Sequence, residues 1–92
     1  MQPLASYREL YQATLEKWGV EAQYDQAVEE CAELIATLMH LRRGRLDETA
    51  VADELADVYL MVGQLSFMIG EERVAAAIER KLARLRGHLA AP

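Results

Sequence analysis

Residues 47–70 read DETAVADELADVYLMVGQLSFMIG. Projected at about 100° per residue, the apolar side chains of this stretch cover most of a helix's circumference, from Val51, Leu55, Val58, Val62 and Leu65 round to Leu60, Met61 and Phe67. A helix of that kind is expected to be buried on several sides. Two carboxylates interrupt it: Glu54 projects among Ala50, Met61 and Leu65, and Asp57 lies beside Met61. An uncompensated carboxylate in apolar surroundings costs several kcal/mol, so each must be protonated, ion-paired or bound to a metal.

The preceding stretch supplies partners. Glu30 and Glu33 are spaced i, i+3, which puts both on one helical face bordering the apolar stripe of Ala27, Leu34, Leu38 and Leu41. In an antiparallel hairpin, residues at one level have a constant sum of residue numbers. Glu30 with Asp57 and Glu33 with Glu54 share one such sum, and its centre falls close to Gly44. The four carboxylates are therefore expected to converge to within about one helical turn.

Helical spacing extends through the chain, with glycines at 19, 44, 70 and 87 as punctuation and prolines only near the ends. Four helices are expected. The first runs from about Ser6 to Trp18, with Ser6 and Glu9 at capping-box spacing and Tyr7, Tyr11, Thr14, Leu15 and Trp18 along one side. The second runs from about Glu21 to Arg43 and ends in the basic Arg42-Arg43 beside Gly44. The third is capped near Asp47 and runs to about Ile69. The fourth opens with Glu71-Glu72 and carries Val74, Ile78, Leu82, Leu85 and Leu89 at heptad-like spacing. No strand pattern, repeat or low-complexity segment is visible. The expected architecture is an all-α antiparallel four-helix bundle forming one domain over residues 1–92, its core completed by homo-oligomerisation as a dimer or a dimer of dimers. A chain of 92 residues buries a small share of its surface alone, and its 52% hydrophobic content exceeds what one such chain readily covers.

Composition also sets limits. A net charge of −5 argues against nucleic acid as the main partner, since phosphate neutralisation needs a basic face. The four converging carboxylates account for four of the five excess charges, an imbalance that divalent cations would offset. No apolar run approaches the roughly 18 to 20 residues of a membrane span, and Met1-Gln2-Pro3-Leu4 lacks the pattern of a secretory signal. A cytoplasmic protein with no membrane partner is the expectation. Cys31, the only cysteine, reads as a small buried side chain.

Four oxygen donors with neither histidine nor thiolate among them favour a hard divalent ion, Mg2+ or Mn2+, over zinc. His40 and His88 fall outside the cluster, and neither provides the Glu-x-x-His pattern of ferritin-like di-iron proteins. Mg2+ commonly shares its coordination sphere with substrate phosphates, which makes phosphoryl or nucleotidyl chemistry the leading inference. Trp18, Tyr7, Tyr11 and Tyr24 are candidates to stack on a base, with Gln23 or Gln26 bonding its edge. Lys81 and Arg84, or Arg42, Arg43 and Arg45 at the hairpin turn, are candidates to bind a triphosphate. Glu29 is adjacent to the ligand pair but turned about 100° from Glu30, so it is placed to act on the ligands or water from behind.

The run Trp18-Gly19, Gln23, Gln26, Glu29-Glu30-Cys31-Ala32-Glu33-Leu34-Ile35, followed by Asp53-Glu54-Leu55-Ala56-Asp57-Val58, resembles the MazG-like, all-alpha NTP pyrophosphatase family. The hallmark of that family is EExxE and then, after a helix-turn connection, ExxD. The likeness continues weakly through Lys81, Leu82, Arg84 and Leu85, and is to the short single-domain members. It implies that Glu30, Glu33, Glu54 and Asp57 are metal-holding catalytic residues. It also implies that a nucleoside triphosphate is hydrolysed to the monophosphate and pyrophosphate, as housecleaning of noncanonical or excess nucleotides. A dUTP- or dCTP-type hydrolase would share every metal ligand, and a catalytically silent helical interaction module would share the apolar faces.

Overall fold

Helical propensity and punctuation act together in the computed structural model, which describes residues 7–45 and 47–92. Four helices follow one another: α1 (Arg8–Trp18), α2 (Val20–Arg42), α3 (Glu48–Ile69) and α4 (Glu71–Ala90). No strand occurs among the described residues. The expected boundaries hold to within a residue or two, and the Ser6 half of the capping box lies outside the described residues. Asp47 caps α3 as anticipated, its side chain accepting the Ala50 N–H at 3.2 Å. α1 passes into α2 through Gly19 alone, and α3 into α4 through Gly70 alone, at φ of 87° and 129°. Such values are open to glycine at little steric cost, so one residue suffices to redirect the chain. Gly87 does not punctuate: it lies inside α4, whose last turns continue past it.

α2 and α3 form the most extensive helix pair, and α1 lies against both. α4 packs on α3 and is tied to α1 at its first turn, where the Arg8 guanidinium grips the Glu71 carboxylate through Nε (2.8 Å to Oε1) and Nη2 (2.6 Å to Oε2). No described helix is long and apolar enough to cross a membrane.

The core is thin. Among the described residues, Tyr11 and Ala27 are the buried hydrophobic side chains, joined by the polar Gln23, Gln64 and Ser66, while α4 buries no residue. Burial of α3 on several sides is not met within one chain: Leu55 is 51% exposed, and Leu60, Val62 and Ile69 are exposed with it. Three helices around α3 leave part of its apolar circumference facing outward. The radius of gyration, 15.8 Å, exceeds the about 12 Å of a compact domain of this length. Cys31 is exposed rather than buried. It follows Glu30 directly, and the 100° step of the helix carries it off the stripe that meets α3.

Candidate metal and nucleotide site

The i, i+3 spacing on α2 and on α3 sets two carboxylates on each facing surface, and packing of the helices brings the pairs together. Glu30, Glu33, Glu54 and Asp57 each offer an oxygen, and these four atoms lie within 4.8 Å of one another. The pairing matches the equal sums of residue number: Glu30 reaches Asp57, and Glu54 reaches Glu33. Later residues on α2 thus meet earlier residues on α3.

The electrostatics of the cluster are unfavourable as it stands. Burial pushes the Glu30 carboxyl above its ordinary value, and the charges of Asp57 and Glu33 push it further, against a lowering hydrogen bond from Gln26. Burial likewise raises Glu54, followed by the charges of Glu33, Asp57 and Asp53. Oε2 of Glu30 and Oε2 of Glu54 are buried atoms that receive no hydrogen bond. Ionised carboxylates are acceptors only, so neighbours of their own kind cannot satisfy them. A cation can. Two orphaned buried oxygens among four convergent hard donors fit Mg2+ or Mn2+.

Gln26 links this cluster to the rest of the site. Its Nε2 donates to Oε1 of Glu30 at 2.8 Å, which divides the Glu30 carboxylate between one tethered oxygen and one orphaned oxygen. Gln26 also lines a cavity of about 490 Å³, together with Trp18, Gln23, Tyr11, Leu60 and Met61. The cavity therefore adjoins the carboxylates, with aromatic and aliphatic walls and a few amides. Trp18 is 59% exposed at its edge, with Lys17 Nζ 5.0 Å from the ring. Comparisons with protein families, with curated proteins and with solved structures return no match.

Other anticipated groups lie elsewhere. Lys81 and Arg84 are exposed on α4 and make no ion pair with a described residue. Arg42, Arg43 and Arg45 are exposed at the end of α2 and in the turn after it, and Glu29 is exposed beside Glu30 without joining the cluster. Tyr7 packs edge-on to Tyr11 with ring centroids 6.2 Å apart, and Tyr24 is exposed away from the cavity lining.

One cavity residue of consequence escaped the sequence reading. Gln64 is 3% exposed and bridges α3 to α1: its Nε2 donates to the Tyr11 carbonyl at 3.2 Å, and its Oε1 lies 2.7 Å from the Thr14 hydroxyl. The signal was present, since a lone amide within VGQLSF on an apolar helix must find partners when buried.

Proposed function

We propose that this protein is a Mg2+- or Mn2+-dependent nucleoside triphosphate pyrophosphohydrolase, converting NTP and water to NMP and pyrophosphate. The observation that carries this reading is the convergence of Glu30, Glu33, Glu54 and Asp57, with two buried orphaned oxygens, beside an aromatic-walled cavity. A carboxylate cluster alone fits many reactions. A carboxylate cluster joined through Gln26 to a cavity able to take a planar base fits a nucleotide, and the EExxE and ExxD resemblance points the same way.

When bound, the divalent ion polarises phosphate oxygens and offsets charge on the departing pyrophosphate. Glu33, Glu54 and Asp57 hold it, and relief of their mutual repulsion contributes to its binding. Glu30, the fourth carboxylate of the cluster, orients the attacking water and receives its proton. Water oxygen bonds to the alpha-phosphorus as the bond to the bridging oxygen breaks, and the pyrophosphate leaves with that oxygen. Trp18 stacks on the base at the cavity mouth.

The same reading includes an antiparallel bundle completed by a second copy of the chain, as a dimer or a dimer of dimers. Its support is the exposed apolar set on three helices, including Val28 and Ile35 on α2, Leu55 and Val62 on α3, and Leu85 and Leu89 on α4. A cytoplasmic role in clearing excess or noncanonical nucleotides would suit this chemistry.

The test is a panel of NTPs and dNTPs with Mg2+ or Mn2+, assayed separately for pyrophosphate and orthophosphate. Metal-dependent pyrophosphate release is the expected result. Orthophosphate alone, or no product from any nucleotide, overturns the proposal.

A further inference from the structure

The face of α2 turned away from the cavity is apolar and uncovered. Tyr24, Val28, Cys31, Ile35 and Leu38 recur at intervals of four, three, four and three residues, the spacing that lets one helix seat against another. All five are exposed, Val28 to 70% and Ile35 to 64%. Projected at about 100° per residue, this seam lies about 160° round the helix from Ala22 and Gln26, which line the cavity. α3 repeats the pattern. Leu55, Val62 and Ile69 are exposed at seven-residue intervals, again about 160° from the cavity-lining Leu60 and Gln64. The α2–α3 hairpin therefore carries α1 and the cavity on one side and a bare apolar surface on the other.

The distribution of charge along α2 indicates what covers that surface. Glu21 and Asp25 flank the first end of the seam, while Arg42 and Arg43 follow its last end. None of the four makes an ion pair with a described residue. Two copies aligned in parallel would set like charges together. Aligned antiparallel, they set Arg42 and Arg43 against Glu21 and Asp25 at both ends of the pair, with their helix dipoles opposed. Cys31 is the middle of the seam, seven residues from Tyr24 and seven from Leu38. A small side chain suits a two-fold axis, where a residue meets its own copy.

We propose that two copies of the chain pair across this side of the hairpin, α2 antiparallel to its counterpart, about a two-fold axis at Cys31. The proposal rests on the self-association reading above and not on the nucleotide chemistry. With the axis at Cys31, Arg42 stands level with Glu21 of the partner subunit to within about one residue. The α3 stripes of the two copies meet alongside, so the apolar surface of each hairpin covers that of the other. The cavity of each copy, on the opposite side of its hairpin, stays open.

Cys31 is the only cysteine, so a short bismaleimide reads the position of the axis directly. We expect the purified protein to be dimeric by light scattering at micromolar concentration and to crosslink through Cys31 into a covalent dimer. When Cys31→Ser is combined with Arg43→Cys, the two thiols stand about 36 Å apart along the helices and should not crosslink. Glu21→Arg should weaken the dimer by about 10-fold in Kd, and adding Arg42→Glu should restore it to within about 3-fold. A dimer that fails to crosslink at Cys31, or that crosslinks at position 43, overturns this interface and leaves self-association standing. A double variant no tighter than Glu21→Arg overturns the pairing of Arg42 with Glu21. A monomer overturns the interface and the self-association reading together, whatever the protein does with nucleotides.

Discussion

Glu33 on α2 and Glu54 on α3 meet across the helix pair although 20 residues separate them in sequence, and the buried Oε2 of Glu54 accepts no hydrogen bond. Replacing Glu54 with Gln keeps the shape, removes a charge and supplies donors to Glu33. The metal-free variant should melt at a higher temperature than the parent. Stabilisation by Mg2+ or Mn2+ and pyrophosphate release should fall together, the latter by about 100-fold or more. Thermal melts with and without metal, beside the turnover assay, read both. Wild-type metal-dependent turnover in Glu54→Gln would refute the site.

Glu30 and Glu54 have carboxyls raised above 4.5 in the folded chain, so the folded state holds their protons more tightly than the unfolded state does. The stability they confer is complete below 4.5 and is lost as pH rises through their folded values. Glu71 is lowered by Arg8 and acts in reverse: its contribution is present above 4.5 and is lost as pH falls through its folded value. Melting temperature in EDTA should therefore decline as pH is raised from about 5 toward neutrality. Millimolar Mg2+ should flatten that decline. An EDTA profile that rises over this range would count against the carboxylate cluster.

Tyr11 is buried against Gly63, where a Cβ would overlap its ring and hydroxyl. Gly63→Ala should destabilise the fold by about 1–3 kcal/mol, as measured by denaturant unfolding. The Tyr11 hydroxyl is itself buried and without a hydrogen-bond partner. Tyr11→Phe should be neutral, or stabilising by up to about 1 kcal/mol.

Trp18 has most of its surface exposed yet borders the cavity. Trp18→Ala should raise KM by roughly 10-fold or more through loss of stacking. Its effect on folding should stay within about 1 kcal/mol. An unchanged KM would remove Trp18 from the substrate site.

The exposed apolar residues on α2, α3 and α4 lead to the prediction that purified protein is at least dimeric at micromolar concentration. Light scattering giving the 10.4 kDa mass of one chain would contradict it.

The order and extents of the helices were legible in the sequence, because they follow from local causes: apolar periodicity, Asp47 as a cap, and Gly19 and Gly70 as joints. The acidic cluster was legible for a related reason. Helical geometry converts i, i+3 spacing into a shared face, and a short turn makes equal index sums into equal heights, so Glu30 with Asp57 and Glu33 with Glu54 needed no further information. Side-chain burial followed different rules. Cys31 looked apolar in context and is exposed, and α3 looked buried on several sides and is not within one chain, because burial depends on which neighbours arrive at a given face and how many there are. The Gln64–Thr14–Tyr11 connection joins residues 50 or more positions apart, and no local pattern encodes it. Only tertiary packing could bring Gln26 between the carboxylates and the cavity.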